Sequence, residues 1–501
     1  MTAAVAMVAI DALAVLVALP TIQRDLDASP IELQWIVNAF LLPYAGLLVL
    51  GGRAGDALGR IRTFRIGVVL FLAASVASGL AGSVGWLIAA RAAQGVAAAI
   101  LRPSADGIAV SQFGRQERGR AEGISTSVAT FFYGVAPLVG GVLTATVSWR
   151  AIFFLNLPLG VTCLALVRVL LPRVKPKRSP VDWGSAPLLV GGLGCVVLAL
   201  MESRDWGWAS RAVIGLLAGG FLLLAVMVIR ELRLAEPLIQ VRLFALRSFS
   251  VDSGVLAAVR FSFIGFSVFG VIWVQDVLGF SAVQAGLFML PLTFPTILCA
   301  PLGGILYDRL GPRVPVVMGG TLLAGGMLGA AVTLHQQTYF WLLPFWIAVG
   351  VGVGTIGVPA FSDAFNSTPH QLRSQTAGAL QTTREIGATL GLAVMGMTVT
   401  HVQGARLSAV LRHDGRVPVS SLPVVERSIG KAVAAQNRTT LPAGIPADLV
   451  PALKQTVTQA VSAAFYLAFA VMVVALSAAA VLLSRQPPGA SVQHSAAEPP
   501  S

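Results

Sequence analysis

Charge is what this 501-residue chain has little of: 11% of its residues are Asp, Glu, Lys or Arg, against about a quarter in soluble domains. With 56% hydrophobic residues and a mean hydropathy of +0.80, so few charges cannot clothe a water-facing surface. Most of the chain therefore belongs in lipid. Cysteine is also scarce. Cys163, Cys195 and Cys299 all fall inside apolar runs, which gives neither a disulfide framework nor a metal cluster. Lysine occurs only at Lys175, Lys177, Lys431 and Lys454, a compositional bias with little chemical meaning. The net charge of +13 does not point to nucleic acid, because the basic residues are scattered over short loops and not gathered on one face.

Chemistry-bearing motifs are missing too. The stretch 51–60, Gly-Gly-Arg-Ala-Gly-Asp-Ala-Leu-Gly-Arg, has no Gly-Lys-Ser/Thr ending and no preceding strand, so it is not a phosphate loop. No ATPase motif, Ser/His/Asp set or metal-ligand constellation stands out. The expectation is a protein that is not an enzyme, has no cofactor and no metal, and draws energy from an ion gradient or from its substrate.

What is present is a series of long apolar runs. A helix needs roughly 20 apolar residues to cross the hydrocarbon core. Fourteen such runs occur, near 3–20, 34–52, 64–82, 86–107, 121–146, 152–171, 184–201, 212–229, 250–274, 282–306, 314–334, 339–361, 376–400 and 461–483. The first lacks a basic leader and carries Asp11, so it is read as a retained helix and not a signal peptide.

One short pattern is written twice. Gly51, Gly52, Asp56 and Gly59 reappear as Gly303, Gly304, Asp308 and Gly311, displaced by 252 residues, and the same displacement pairs Ser29 with Ser281 and Pro43 with Pro295. The copies end spans 2 and 10. Spans 1–6 and 9–14 are therefore matching halves, with spans 7 and 8 inserted between them. The expected division is 1–171, an inserted 172–248, and 249–484 with an external loop at 402–458; 485–501 reads as a disordered tail. Two related halves in a membrane chain mark a transporter whose substrate path lies between the repeats.

Orientation follows from the short loops. Arginine and lysine gather after spans 2, 4, 6 and 8 (Arg53, Arg60, Arg62 and Arg65; Arg115, Arg118 and Arg120; Arg173, Lys175, Lys177 and Arg178; Arg230, Arg233, Arg242 and Arg247). Even-numbered spans exit to the cytoplasm, and both termini lie there.

Charges inside spans are costly and mark site candidates. Asp11, Arg91 and Glu385 are the candidates for proton coupling, since a buried acid near a cation can take a proton on one face and release it on the other. Arg102, Asp106, Arg260 and Arg384 are the cavity candidates. Arg102 and Asp106, spaced i, i+4, suit an intrahelical pair. Arg260 suits either helix packing or cavity lining. Asp56, in a tight turn, suits a gate held by charge–dipole contact.

These residues resemble the major facilitator superfamily, in particular its fourteen-helix drug:proton antiporter branch, over nearly the whole chain. Gly52, Asp56, Gly59 and Arg60 match the superfamily's gating motif, and Asp308 with Arg309 lie in its second copy. Asp11 and Val17–Ala18–Leu19–Pro20 resemble the branch's span 1 signature. Arg91, Gln94, Gly95 and Pro103 match the span 4 motif, whose arginine is implied in proton coupling. Trp149, Arg150, Phe153, Asn156, Pro158 and Gly160 match the span 5–6 turn. Gln275, Gly279, Ala285, Gly286 and Pro291 match the start of span 10, and Arg384 with Gly387 matches span 13. Pro137, Gly140 and Gly141 keep part of the antiporter motif, while Phe132 and Ala136 stand where glycines are usual. Span 10 lacks an acid, against a site for dicationic drugs there. Members of this family carry a short basic segment before span 1, so an upstream start is expected.

The resemblance implies an all-α membrane fold of two six-helix halves with two inserted helices. The implied activity is proton-coupled export of a small amphipathic organic molecule such as a drug, antibiotic or secondary metabolite. The alternative is a proton-coupled metabolite importer, and more remotely a membrane enzyme or sensor. The partners expected are the substrate, protons and the bilayer of the cell membrane, without nucleic acid and with a monomer as the working unit. The aromatics Phe131, Phe132, Tyr133, Phe261, Phe263, Phe266, Phe269 and Trp273 suit amphipathic ligands.

Overall fold

The structure is a computed structural model that describes residues 2–111, 118–170, 184–234, 237–368, 372–414 and 450–483. Lipid offers no partner for backbone N–H and C=O groups, so each apolar run closes its hydrogen bonds internally as a helix. The helices are α1 (Thr2–Leu26), α2 (Pro30–Leu58), α3 (Arg60–Gly79), α4 (Val84–Ser111), α5 (Arg118–Thr146), α6 (Arg150–Phe154) and α7 (Asn156–Leu170) in the first part. Then come α8 (Ser185–Trp206) and α9 (Arg211–Arg233), followed by α10 (Arg247–Asp276), α11 (Ala282–Leu310), α12 (Arg313–Thr333), α13 (Tyr339–Asn366), α14 (Arg373–Asp414) and α15 (Val450–Leu482). With α6 and α7 taken as one crossing, thirteen helices are long and apolar enough to span a bilayer. Helix α5, whose apolar part Phe131–Thr146 is shorter, makes the fourteenth.

Two expectations are corrected. The sixth run is not one helix but breaks between Phe154 and Asn156. Pro158 lacks an N–H and its ring crowds the carbonyl four residues back, so the helix restarts at Asn156. Residues 402–414 and 450–458, expected in an external loop, are helical. Helix α14 continues to Asp414 and α15 already begins at Val450. Residues 415–449 and the tail 485–501 lie outside the described residues.

The repeated pattern builds the same local structure twice. Ser29 caps α2 by accepting from the Glu32 N–H, with Glu32 returning the bond. Ser281 does the same for α11 with Gln284. This reciprocal box satisfies two orphan donors at each helix start. At the other ends, Gly59 (φ 94°) and Gly311 (φ 76°) adopt backbone angles that side chains resist. A Cβ on Gly51 would lie 2.1 Å from the Ala99 carbonyl oxygen, and one on Gly303 would lie 2.5 Å from that of Thr355. The shared glycines thus let α2 lie against α4 and α11 against α13.

Within the first half α2 and α3 pack on α4, and α1 on α5; within the second, α10 packs on α14, and α11 and α12 on α13. The halves meet along α5–α11, α2–α14 and α1–α10. The inserted α8 rests on α2 and α14 beside this seam, and α9 packs on α8. Close packing of the inserted pair is again a matter of small residues: a Cβ on Gly220 would come within 2.9 Å of the Gly192 carbonyl oxygen. The outer faces are apolar, as lipid requires. Phe221 and Leu222 of α9, Phe340 of α13 and Val474 of α15 are among the most exposed side chains.

Candidate functional site

The polar groups that the sequence places in apolar helices do not scatter. They converge into two clusters, one in each half.

The first is built around Asp11, which is fully buried near the middle of α1. The Arg91 guanidinium on α4 forms an ion pair with its Oδ2 through Nη1. Gln94 Nε2 donates to Oδ1 at 3.1 Å, and Asn156 Nδ2, at the start of α7, donates to the same oxygen at 3.0 Å. Around this core, Arg91 Nη1 donates to Gln94 Oε1 at 2.9 Å, and Arg91 Nε donates to the Ile36 carbonyl at 3.3 Å. Gln94 and Asn156 both donate to Ser75 Oγ on α3, at 2.8 and 3.1 Å, and Ser78 Oγ donates to Gln94 Oε1 at 3.1 Å. The Arg91 guanidinium lies 4.5 Å from the centre of the Phe40 ring, a stacking that suits a delocalised cation. Five elements, α1, α2, α3, α4 and α7, therefore hold one carboxylate and one guanidinium with both charges buried.

The charges in apolar runs single out Asp11 and Arg91, and the family resemblance names Gln94 and Asn156 as motif residues without placing them beside Asp11. Gln94 had a signal, an amide one turn after Arg91 in an apolar helix. Asn156 had one in its place two residues before Pro158. Ser75 and Ser78 had none, because a serine in a small-residue helix is ordinary.

The second cluster lies at the meeting of the halves. Arg260 of α10 is 18% exposed, and its Nη2 pairs with Glu385 Oε2 of α14 at 3.1 Å. Gln381 Nε2 donates to Glu385 Oε1 at 2.9 Å, and Arg384 Nη1 donates to Gln381 Oε1 at 3.2 Å. Tyr44 of α2 and Tyr133 of α5, from the first half, lie within electrostatic reach of Arg260. Tyr133 and Arg102 of α4 bear on Arg384. The structure thus joins Glu385, Arg260 and Arg384 in one group and separates Glu385 from Asp11 and Arg91, with which it was grouped for proton coupling. The side chains of Asp56 and Asp106 lie outside the described residues, and with them the expected Arg102–Asp106 pair. Asp308 and Arg309 are exposed at the end of α11. Asp252, fully buried near the start of α10, has Asp363 of α13 as the charged group bearing on it most strongly.

Contacts across the halves concentrate at the end that carries the α1–α2 turn. Gln275 Nε2 of α10 donates to the Val17 carbonyl of α1 at 2.9 Å. A Cβ on Gly141 of α5 would lie 2.4 Å from the Ala282 carbonyl oxygen of α11, and one on Gly286 would lie 2.6 Å from that of Pro137. Deeper in, Thr293 Oγ1 of α11 donates to the Gly134 carbonyl of α5 at 3.0 Å. Gly140, next along, turns the other way, where a Cβ would lie 2.3 Å from the Ala14 carbonyl oxygen of α1. Pro137, Gly140 and Gly141 thus serve one local purpose: they let α5 touch α1 on one side and α11 on the other.

The aromatic stripe suggested for the cavity belongs elsewhere. Phe263, Phe266, Phe269 and Trp273 are buried inside the second half. Phe266 lies against Trp346 and Phe465, with ring centres 4.2 and 4.3 Å apart. Phe131 is 53% exposed on the outside of α5. Tyr133 of that set lies within electrostatic reach of Arg260. Helical spacing identifies a face of a helix, not the neighbour that covers it.

Comparison with known proteins places this arrangement. The Major Facilitator Superfamily matches residues 1–392. A tetracenomycin C resistance and export protein of Streptomyces glaucescens is 34% identical over 486 residues, 96% of this chain and 89% of that one. A cephamycin export protein of Amycolatopsis lactamdurans is 35% identical over 402 residues, covering 79% and 82%. A puromycin resistance protein of Streptomyces alboniger is 34% identical over 416 residues, covering 81% and 82%. Among solved structures, a bacterial homologue of the human lysosomal transporter Spinster, in an inward-facing and unoccupied conformation, shares the fold with a TM-score of 0.66 at 19% identity, covering 96% of this chain and 95% of that one. Two six-helix halves, a buried acid–arginine cluster and full-length relatives agree: this chain belongs to the Major Facilitator Superfamily and is a multi-pass membrane transporter, not an enzyme.

Proposed function

We propose that this chain exports a small amphipathic organic molecule from the cell in exchange for protons. The observation that carries the reading is the Asp11–Arg91 pair inside its cage of amides and hydroxyls. As a carboxylate, Asp11 has donors on both oxygens and neutralises Arg91. A proton added to Asp11 removes the charge that holds the guanidinium, leaving a buried cation without its counter-ion, a costly arrangement. Proton binding and release are thereby tied to the packing of α1 against α4. Since α1 also touches α10 and α5 touches α11, a shift of α1 bears on how the halves meet. Rocking of the halves around a midplane site is then the transport step.

The working units are 1–171 and 249–484, with 172–248 as the insert. With arginine-rich loops inside the cell, the end where α5 meets α11 at Gly141 and Ala282 lies outside. The gate residues Gly52, Asp56, Gly59, Arg60, Asp308 and Arg309 then sit at the cytoplasmic face. The relatives support export of an antibiotic-like cargo by their names, which cover a tetracenomycin, a cephamycin and puromycin.

The test is transport in inverted membrane vesicles with an imposed proton gradient, acid inside. Vesicles containing the protein should take up a cargo from a panel of antibiotic-like compounds. Collapse of the gradient should abolish uptake, and Asp11→Asn should lack it. Gradient-driven movement in the opposite direction would mark an importer and defeat the proposal.

A further inference from the structure

We propose that the central site selects organic anions: amphipathic molecules with an apolar body and a carboxylate or an ionised phenol. This deepens the export reading and rests on it only for the direction of movement.

The site is central by position. Arg260 lies about 20 Å along α10 from Arg247 and Glu385 about 18 Å along α14 from Arg373, at roughly 1.5 Å per residue. Tyr44 and Tyr133 reach the same level from the middle of α2 and α5. The two tyrosines come from one half and Arg260, Arg384 and Glu385 from the other, so the cluster draws on both halves.

Its charges do not balance. Among the described side chains, the guanidiniums of Arg260 and Arg384, with Arg102 bearing on the latter, have one carboxylate, Glu385, between them. Arg260 takes that carboxylate directly, while Arg384 reaches only the neutral Gln381. The Nε atoms of Arg260 and Arg384 are both buried without a hydrogen-bond partner. Each guanidinium is partly exposed but keeps one buried N–H unsatisfied, so among the described side chains the cluster carries excess positive charge with donors to spare. The planar donor fork of a guanidinium matches a planar oxyanion in shape. A cationic cargo finds the opposite. It must compete with Arg260 for Glu385. Asp11 is buried and already occupied by Arg91, Gln94 and Asn156. Between Ala282 and Tyr307 helix α11 carries no acid.

Three probes with one aromatic body and different charge test this: 1-naphthylacetate, 1-naphthylacetamide and 1-naphthylethylammonium. Their binding is measured on the full chain in nanodiscs by quenching of intrinsic tryptophan fluorescence. The expected result is that naphthylacetate binds at least about tenfold more tightly than the amide or the ammonium. Arg384→Gln should weaken naphthylacetate by about tenfold or more and leave the amide unchanged. Glu385→Gln should tighten naphthylacetate, because it releases Arg260. Opposite effects of the two variants distinguish a charge-reading site from a misfolded protein, which would weaken all probes alike. The proposal is overturned if the ammonium or the amide binds as well as the anion, or if Arg384→Gln leaves the ratio of anion to amide binding unchanged. Proton-driven uptake into inverted vesicles reads the export function separately. Charge preference without uptake would sink export and leave the anion site; uptake without charge preference would do the reverse.

Discussion

Asn156 Nδ2 lies 3.0 Å from Asp11 Oδ1 and 3.1 Å from Ser75 Oγ, so one side chain at the start of α7 ties the buried acid of α1 to α3. The break in the sixth crossing makes this possible. An unbroken helix, with Pro158 in its interior, would not begin its second piece at this residue.

Asn156→Ala removes a donor from two buried acceptors, and each lost bond costs about 1–3 kcal/mol. The expected outcome is a lower unfolding temperature of the detergent-purified protein, with transport reduced. Asn156→Leu should be no better, since filling the space returns no donor. An unchanged melting temperature in both variants would show that water replaces the amide.

Removing one member of the Asp11–Arg91 pair should harm the protein more than removing both. An orphaned buried charge costs about 3–5 kcal/mol, whereas a neutral double variant leaves none. Asp11→Asn is therefore expected to lose membrane stability as well as proton-driven transport. Asp11→Asn combined with Arg91→Gln should recover stability but not transport. Arg91→Lys should be impaired, because an ammonium cannot serve Asp11, Gln94 and Ile36 from one plane. The measurement is thermal unfolding of the two singles and the double, and additive losses in that cycle would refute the coupling.

Gly141→Val should open the end of the molecule where the halves now touch. Even a Cβ there would lie 2.4 Å from the Ala282 carbonyl oxygen, and that atom belongs to a helix backbone that cannot step aside alone. Spin labels at Val147 and Gln336, both exposed at that end, should report a longer mean distance in Gly141→Val than in the parent. An equal distance in both would mean that the contact is not a gate. Gly140→Val, which faces α1 within the same half, should instead cost stability and leave this distance unchanged.

The orientation is tested with single cysteines in a background lacking Cys163, Cys195 and Cys299. An impermeant maleimide should label Ser83→Cys in intact cells and Ser179→Cys only after the cytoplasm is exposed. The reverse order would invert the topology and put the end where α5 meets α11 inside the cell.

The sequence by itself determined that the chain is an all-helical, multi-pass membrane protein, and it led to the reading of fourteen spans in two related halves, of which thirteen described helices are long and apolar enough to cross. Each follows from a local and strong constraint: lipid punishes charge, a span needs a fixed length, and the turns at Gly59 and Gly311 demand glycine. It also pointed to Asp11 and Arg91 as candidates, because a charge in hydrocarbon is costly, and the structure pairs them. It did not reveal that Ser75, Gln94 and Asn156 would close around Asp11, nor that Glu385 would pair with Arg260 and not with the Asp11 cluster. Those groups come from α3, α4, α7, α10 and α14, and only the crossing of helices decides which side chains share a space. The same holds for Phe266 and Trp273. Their spacing was visible, but a helix in a bundle has several faces, and the neighbours that bury each face are set by packing across dozens to hundreds of residues of sequence.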